Sequence, residues 1–504
     1  MVTLSEIVLG CADGKNEAEK EWFTDLFYTE NHMVERVAND HSVFIISGRK
    51  GTGKTILAKY IEKAYHNKGF LTKVFSKEDL FLNYILEKTE DSFTQAELVI
   101  FLRYCILVAI AKHLVENENE IIQNPKINNF FKLVNYKINQ HKLKKFYFDV
   151  YPRGAFKTFN EERQQQNTSS LIGHKFTIGG QTVRKKHLQR KQYYELLTEL
   201  ERLVFSVCKY VDIFVFFDDL DELESKKYLS AKTENVFITL LETIQSINSS
   251  FFQLGMSNSK IVILLRSDIL QDLNTRSSNL NKMVIDGSVN LNWIKSTKLD
   301  ETHPLMDLIL SKIQKKCYPN LSKKEVYKQL FSGVNYINKR PFIKYLIDNS
   351  FGRPRDIITF LNIIIEKYPD RTSFDEKMFT DAECRRDYSR HFSDEIKNEL
   401  SIHCSEAELL SLLTLLKKFG RRNFEYAKLE KFFNDNKNSY NAIQDLKSSI
   451  EMLYKFGVLG NTWHNSATNQ YNHTWAYRED GFPDADFGKK FCIHHAMRKE
   501  LNLI

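Results

Sequence analysis

The chain has 504 residues, which is too long for one hydrophobic core and predicts two to four domains. Its hydrophobic content of 42% and its charged content of 27% are typical of a soluble globular protein. The net charge of +8 permits an acidic partner such as nucleic acid without requiring one. The seven cysteines form no CxxC pair, and we find no signal-peptide pattern and no apolar run of membrane-spanning length. These features argue against a disulfide framework and predict a cytoplasmic protein without a membrane anchor.

The first predicted elements surround a glycine-rich loop. Residues 17–38 have helical spacing and predict one helix, residues 41–47 predict a buried strand, and residues 56–67 predict a second helix. The loop before the second helix reads GRKGTGKT and matches the pattern GxxxxGK[ST]. The predicted phosphate-binding residues are Gly48, Arg49, Lys50, Gly51, Thr52, Gly53, Lys54, Thr55 and Ile56.

Each part of this loop meets a physical requirement of a bound triphosphate. Glycines let the backbone curl so that several N–H groups point at one anion, and the next helix directs its N-terminus at the same anion. Lys54 would reach the β- and γ-phosphates, and the Thr55 hydroxyl would ligate Mg²⁺. The alternative is a glycine-rich turn before a surface helix. The chain contains no NKxD sequence for guanine recognition, so we expect ATP with Mg²⁺ as the ligand.

Four acidic residues in five positions follow a second buried strand, which we predict over residues 211–217. The carboxyl edge of a parallel sheet is suited to handling Mg²⁺, so Asp218 would hold the ion and Asp219 would orient the attacking water. Asp221 is the alternative for the second role. An acidic cap on a helix that begins near Leu220 would give the same pattern without any chemistry.

Two arginines are candidate sensors of the γ-phosphate. Arg266 follows the third predicted strand, residues 260–265, and would face the phosphate if this strand lies between the other two. Pairing with Asp268 is the alternative. Arg355 stands at a turn and helix start in the sequence FGRPRDI, from which it could swing over bound nucleotide. Arg353 would point elsewhere on this turn, and pairing with the aspartate at the helix start is again the alternative.

The remaining segments predict an insertion and a C-terminal module. Residues 115–191 interrupt the core, and residues 184–191 are a basic run that could bind a phosphate backbone, although such runs are more often a solvated face. After residue 396, three helical stretches and two strand-like pieces follow the plan of a winged helix. The third stretch, residues 440–456, has only two basic residues beside two acidic ones. This composition is weak for DNA, and contact with a protein is an equally good use.

The sequences GRKGTGKT, FFDDLDE, ILLRSD and FGRPRDI resemble, in this order, the AAA+-related STAND and origin-recognition-like ATPases. They look more closely similar to a bacterial group of P-loop ATPases with a GRKG-type phosphate loop, often of a defence or mobile-element setting. The ending KKFCIHHAMRKEL is similar as well. The resemblance spans about residues 42–365 and implies a switch or remodelling ATPase, with a helical lid and a C-terminal helical or winged-helix part. The chain departs from this group in carrying Asp219 where a glutamate is usual.

We therefore predict an α/β protein with a three-layer P-loop NTPase core and a parallel sheet. The predicted domains are residues 1–298 for this core, 299–395 for a helical lid and 396–504 for a winged-helix-like domain. The expected function is Mg²⁺-dependent ATP hydrolysis that drives a switch in bacterial antiviral defence or signalling, through a protein partner or effector. A DNA-binding initiator or transposition helper and an ATP-gated scaffold with little turnover are the alternatives. The sequence leaves homo-oligomerisation and nucleic-acid binding open.

Overall fold

The structure is a computed structural model of the chain, and it describes most of the sequence. The described residues are 2–80, 94–150, 196–220, 231–274, 278–294, 298–401, 403–466, 470–478 and 484–503. The basic run at residues 184–191 and Asp221 lie outside them, as does the later part of the predicted insertion.

A five-stranded parallel sheet forms the centre of the N-terminal half. Its strands are β1 (Ile45–Gly48), β2 (Leu71–Phe75), β3 (Ile213–Phe217), β4 (Lys260–Arg266) and β5 (Ser288–Asn290). They lie in the order β2-β3-β4-β1-β5, and all neighbouring pairs are parallel. β1, β3 and β4 are buried along their whole length, which explains their largely apolar sequences. Because β4 lies between β1 and β3, the carboxyl ends of these three strands meet at one edge of the sheet.

Helices cover both faces of this sheet. They are α1 (Gly14–Ala18), α2 (Phe23–Leu26), α3 (Met33–Asn39), α4 (Lys54–His66), α5 (Gln95–Glu116), α6 (Glu118–Ile122), α7 (Phe130–Val150), α8 (196–208), α9 (Ala231–Gln253), α10 (Ser267–Asn274) and α11 (Ser278–Gly287). α3 and α4 pack against Phe214 and Phe216 on one face, while α5, α8 and α9 pack against Val215 and Phe217 on the other. The predicted α/β class with a parallel sheet is therefore confirmed.

The N-terminal segment differs from its prediction. The single helix predicted over residues 17–38 is wrong, because the segment forms the three short helices α1, α2 and α3 with turns between them. Its apolar side chains contact different parts of the fold, which one straight helix could not achieve. Phe27 stacks on Tyr60 of α4, with the two ring centroids 4.0 Å apart. Tyr28 instead contacts Trp293, which follows β5, and these ring centroids are 6.0 Å apart.

Helix α5 is the most apolar part of this region. It is long and apolar enough to cross a membrane, with a mean hydropathy of 2.1 over 18 residues, and it is the one such helix in the parts of the chain that the structure describes. However, 78% of that stretch is buried inside the fold, where α5 packs against α7 and α9. α5 is therefore a core helix of the α/β region. The described start of the predicted insertion, α6 and α7, packs onto it.

A helical region follows the sheet in sequence. Its elements are α12 (Pro304–Cys317), α13 (Lys323–Phe331), β6 (Tyr336–Ile337), β7 (Arg340–Pro341), α14 (Phe342–Asp348), α15 (Pro354–Lys367), α16 (Glu376–Thr380) and α17 (Ala382–Leu400). Its hydrophobic core includes Leu4, Ile7 and Leu9, and the Leu4 N–H donates to the carbonyl oxygen of Arg371 at 2.6 Å. The first residues of the chain therefore pack with the helical region, although the predicted domains assign them to the core. α17 also runs unbroken across the predicted boundary at residues 395 and 396.

The C-terminal module combines helices with a small sheet. Its elements are α18 (Glu406–Phe419), β8 (Asn423–Phe424), α19 (Tyr426–Asp435), α20 (Leu446–Lys455), β9 (Leu459–Asn465), β10 (Gln470–Thr474) and β11 (Lys490–Ile493). The sheet is antiparallel in the order β10-β9-β11-β8. The helix predicted over residues 440–456 is shorter, because the Asp445 side chain caps α20 by accepting from the Lys447 N–H. Strand β11 was not predicted, since its partners are distant in sequence.

Candidate functional site

The loop between β1 and α4 curls back on itself, and its glycines allow this shape. Gly51 and Gly53 have left-handed backbones, with φ of 84° and 101°. A Cβ at Gly48 would lie 2.5 Å from the Thr52 hydroxyl oxygen, so a larger residue would force the loop to shift. α4 begins at Lys54, directly after the loop, and the first turn of a helix carries N–H groups that have no partner within the helix. Such a set of N–H groups can hold a phosphate.

The Lys54 side chain lies across this loop. Its ammonium donates to the carbonyl oxygen of Gly48 at 3.0 Å and to that of Arg49 at 3.3 Å. A residue after β5 also holds the loop, because the indole N–H of Trp293 donates to the carbonyl oxygen of Thr52 at 2.9 Å. The loop shape is thus fixed by contacts that need no ligand, and Lys54 borders the cavity in front of it.

Asp218 follows β3 directly and stands opposite the start of α4. Its side chain is buried, and its Oδ2 atom has no hydrogen-bond partner among the described residues. Burial, and secondly the negative charge of Asp219, raise the pKa of Asp218 to about 6, although hydrogen bonding to the Thr55 hydroxyl lowers it in part. A buried carboxylate beside a hydroxyl, with one oxygen unpartnered, fits a divalent cation that keeps several waters. The described residues contain no group of three or more acidic, His or Cys ligands, so waters and a bound anion would complete such a site.

Asp219, the next residue, has an unusual backbone and a specific partner. Its φ is 56°, a left-handed conformation that aspartate tolerates better than most residues. Its carboxylate forms an ion pair with the Lys15 ammonium of α1. No local pattern in the sequence marks this pair, because 204 positions separate the two residues. Asp221, the alternative for the role given to Asp219, cannot be compared because it lies outside the described residues.

Arg266 borders the cavity but is held by an acidic neighbour. Its guanidinium donates twice to the Asp268 carboxylate, at 2.6 and 3.0 Å, which is the alternative that the sequence left open. Burial opposes ionisation of Asp268, but the His403 imidazole, 3.6 Å away, and the charge and hydrogen bonds of Arg266 outweigh it and hold the pKa of that carboxyl well below its usual range. The pair is therefore a charged, fixed feature of the sheet edge. It limits how far Arg266 can reach toward a ligand.

The two arginines at the start of α15 have different surroundings. Arg353 was expected to point elsewhere on this turn than Arg355, and its guanidinium donates to the Lys50 carbonyl oxygen at 2.7 Å and to Glu399 at 2.8 Å. It also pairs with Asp356 at 2.8 Å and is almost fully buried. Arg355 lies closer to the cavity and pairs with Glu395 of α17 at 2.8 Å.

A cavity of about 830 Å³ joins these features. Its walls come from the N-terminal segment, the glycine loop, the acidic strand end and the helices α12, α15 and α17. The described lining residues include seven cationic side chains and five carboxylates, and this excess favours an anion. The cationic side chains are Lys15, Lys50, Lys54, Lys77, Arg266, Lys312 and Arg355. The lining also includes apolar side chains, among them Phe27, Tyr28, Met33, Leu308 and Ile358.

Sequence reasoning did not identify the N-terminal wall of this cavity. α1 is anchored there by Glu17, which is buried and pairs with Lys312 of α12 at 2.6 Å. Glu17 also accepts from the Cys11 N–H at 2.7 Å. These residues lie before the first strand and carry no motif, so nothing local in the sequence marks them as part of a site.

Comparison with known proteins adds one partial match. Residues 303–397 match the FunZ-associated C-terminal helical domain. The matched segment is similar to that domain, and it contains α12 to α16 and most of α17, the helices that carry Arg353, Arg355 and Glu395. No curated protein matches the chain. The match agrees with a helical region that follows an α/β region.

Proposed function

We propose that this chain is a P-loop ATPase that binds ATP with Mg²⁺ and uses the nucleotide as a switch. The observation that carries the proposal is the meeting of two groups at one sheet edge. The glycine loop with Lys54 and Thr55 follows β1, and the buried Asp218 with its unpartnered oxygen follows β3. This sheet order, with one strand inserted between the two, supports a P-loop NTPase core.

The cavity supports a nucleotide of the adenine class. Its volume falls within the roughly 300–1,000 Å³ range of small-molecule sites. Phosphates would lie at the glycine loop, and the apolar lining side chains Phe27, Tyr28 and Ile358 would contact the base. The sequence lacks the NKxD pattern for guanine, which favours adenine.

The proposed reaction assigns a separate task to each polar group. The loop N–H groups and Lys54 bind the phosphates, and Thr55 and Asp218 hold the waters and the ion. Mg²⁺ supplies charge neutralisation at the phosphates when it is bound. Asp219 orients a water molecule, whose oxygen bonds to the γ-phosphorus as the bond to the bridging oxygen breaks, leaving ADP and inorganic phosphate. Arg355, on the helical lid, would contact the γ-phosphate and so make lid closure depend on ATP.

The test is a matched pair of lysine variants on α4. Lys54→Ala should lose ATP hydrolysis and bind ATP more weakly, because it removes the charge that meets the β- and γ-phosphates. Lys59→Ala removes a lysine from the same helix that pairs with Glu62 instead, at 2.9 Å, and should hydrolyse ATP normally. Unchanged hydrolysis by folded Lys54→Ala would overturn the proposed site.

The biological setting we propose is a cytoplasmic switch in bacterial defence or signalling that acts through a protein partner. The C-terminal module supports a winged-helix-like unit by its order of helix, short strand, two helices and hairpin. Both basic residues of α20 have partners inside the chain, since Lys447 lies over the Phe487 ring and Lys455 pairs with Asp272. This favours a protein partner over DNA.

Two measurements separate the rival functions. Stimulation of hydrolysis by DNA would favour an initiator or transposition helper. Tight retention of ATP without phosphate release would favour an ATP-gated scaffold. The ion pair between Lys15 and Asp219 is the specific observation that supports this function, because it engages the carboxylate that would orient water.

A further inference from the structure

Lys15 has no role in the reaction described so far, yet it contacts the residue that orients water. Its ammonium pairs with the Asp219 carboxylate, and both residues line the same cavity as Lys54. Lys15 is the second residue of α1, whose cap is the Asp13 side chain, accepting from the Lys15 N–H at 2.9 Å. The pair therefore joins the N-terminal segment directly to the catalytic edge of the sheet.

The backbone of α1 is held firmly, whereas the Lys15 side chain is only partly buried. A Cβ added to Gly14 would lie 3.3 Å from the Ile56 Cβ, so α1 sits tightly on the first turn of α4. The buried pair of Glu17 and Lys312 fixes the other side of α1. In contrast, 55% of the Lys15 side chain is exposed. A long flexible lysine on a fixed backbone can move its charge between two acceptors without any movement of the helix.

We propose that Lys15 is a second phosphate-contacting lysine that changes partner when ATP binds. Without nucleotide it neutralises Asp219. The terminal phosphate of ATP carries more negative charge than one carboxylate, so its arrival draws the Lys15 ammonium away. The released Asp219 carboxylate is then available to hold the attacking water. ADP lacks the γ-phosphate and leaves Lys15 on Asp219. This inference rests on the proposed function and names the device by which the site distinguishes ATP from ADP.

The experiment compares Lys15→Ala, Lys15→Arg and Lys20→Ala with the wild-type protein in full-length form. Lys20 is an exposed lysine of the same segment and serves as the control. Equilibrium binding of ATP and of ADP, each with Mg²⁺, and steady-state hydrolysis are measured for all four proteins. In Lys15→Ala, the preference for ATP over ADP should fall by about tenfold to a hundredfold, because one charge-assisted contact contributes about that much to binding. Its ADP affinity should stay within about twofold of the wild-type value, and its kcat should fall. Lys15→Arg keeps the charge and should retain most of the preference.

Each result has a defined meaning. An unchanged ATP-to-ADP preference in Lys15→Ala would show that Lys15 forms only a surface ion pair and would overturn the inference. Faster hydrolysis by Lys15→Ala would overturn it too, because Lys15 would then only restrain Asp219. Failure of the wild-type protein to bind ATP at all would instead refute the proposed function, which distinguishes that failure from failure of the Lys15 role. Since Lys15→Ala and Lys20→Ala remove the same charge, a general effect of charge would appear in both.

Discussion

At the scale of single residues, the buried carboxylate of Asp218 links the proposed chemistry to stability. Burial raises its pKa from an ordinary value of 3.8 to about 6, so the folded protein binds this proton more tightly than the unfolded chain does. Between about pH 4 and pH 6 the free energy of unfolding therefore falls as pH rises. Above pH 6 the buried Asp218 charge lowers the free energy of unfolding of the metal-free protein by its full amount, on the order of 2–3 kcal/mol.

This gives a prediction about Asp218→Asn. In the absence of metal, this variant should be more stable than wild type at pH 8, by on the order of 2 kcal/mol, and the difference should shrink toward pH 4. Mg²⁺ should raise the melting temperature of the wild-type protein at pH 8 but not that of the variant, because only the carboxylate attracts the ion. Thermal and urea unfolding at several pH values measure both effects. If the stability difference between Asp218→Asn and wild type grows toward low pH, the buried Asp218 charge is not what destabilises the wild-type protein.

The two arginines at the start of α15 give a second prediction. Arg353 is buried between Asp356 and Glu399, so Arg353→Ala leaves the buried Asp356 carboxylate without its cationic partner and leaves Glu399 with Arg49, and it should cost about 3–5 kcal/mol of stability. Arg355 is partly exposed and, in the part of the chain that the structure describes, pairs with the single carboxylate of Glu395. Arg355→Ala should therefore stay close to wild type in stability and in ADP affinity, but it should lose ATP-specific protection of residues 300–390 in hydrogen exchange.

Urea unfolding and hydrogen exchange together test this contrast. Similar stability losses in Arg353→Ala and Arg355→Ala would show that burial of Arg353 does not determine its contribution. Full ATP-specific protection in Arg355→Ala would mean that Arg355 has only a structural role. The sequence pattern alone does not indicate that Arg353 is the buried member of this pair, because spacing does not reveal which side chain enters the core.

At the scale of elements, the N-terminal helices connect the sheet to the helical region. The buried pair of Glu17 and Lys312 joins α1 to α12, and Asn362 of α15 donates to the Gly10 carbonyl oxygen at 3.0 Å. Lys312 also lines the cavity, so this connection lies beside the proposed nucleotide. A nucleotide that fills the cavity would contact both sides of the connection.

The third prediction concerns this buried pair. Lys312→Ala should lower the free energy of unfolding by about 3–5 kcal/mol, because the Glu17 charge would remain buried without its partner. Adding Glu17→Gln should restore part of the loss, since glutamine carries no charge and can still accept from the Cys11 N–H. Urea unfolding of the two single variants and the double variant gives the coupling energy. Additive losses would show that the two side chains act independently.

Local signals explain which elements the sequence predicted correctly. The buried strands, α4 and α5 were visible because burial and helical spacing leave a pattern within a few residues. The glycine loop was visible because its backbone shape needs glycine at Gly51 and Gly53. Lys15 and Glu17 were not visible, because their partners lie 204 and 295 positions away. A contact between distant elements leaves no trace in a single sequence.

At the scale of the whole molecule, one arginine of the glycine loop touches all three parts of the structure. The Arg49 guanidinium donates to Glu399 of α17 at 2.9 Å and to the carbonyl oxygen of Phe456, after α20, at 3.2 Å. It also lies over the rings of Phe351 and Tyr477, 4.6 and 5.3 Å from their centroids. Burial alone would raise the pKa of Glu399, but the charges of Arg49 and Arg353 outweigh it and lower that pKa. This junction of Arg49 with Glu399, the Phe456 carbonyl oxygen and the two aromatic rings is therefore charged and well ordered.

This junction shows that the helical region and the C-terminal module are not independent units. The predicted boundary at residues 395 and 396 treats the helical region and the C-terminal module as separate units. In the structure they share one hydrophobic core, and Glu399 near the end of α17 binds both Arg49 and Arg353. A movement of the loop can thus reach the C-terminal module through a single side chain.

The last prediction follows from this geometry. A phosphate bound by the loop would draw the Lys54 ammonium away from the Gly48 and Arg49 carbonyl oxygens, so we expect the loop backbone to shift and Arg49 to transmit the shift to α20 and β9. In the wild-type protein, ATP should therefore change hydrogen exchange over residues 446–465. Arg49→Ala should abolish this distant change while losing less ATP affinity than Lys54→Ala, since its side chain points away from the cavity. Arg49→Lys should also fail, because a lysine cannot bind Glu399 and the Phe456 carbonyl oxygen with one planar group.

Lys455→Ala is the matched control for this last prediction. Lys455 pairs with Asp272 at 2.8 Å and joins the same two parts of the chain, but both side chains are substantially exposed, so the pair contributes little. Lys455→Ala should keep the ATP-dependent change in residues 446–465. If Arg49→Ala keeps it as well, the C-terminal module responds through the shared core and not through the loop arginine. If both variants lose it, the response depends on the general docking of the module, and Arg49 has no special part in it.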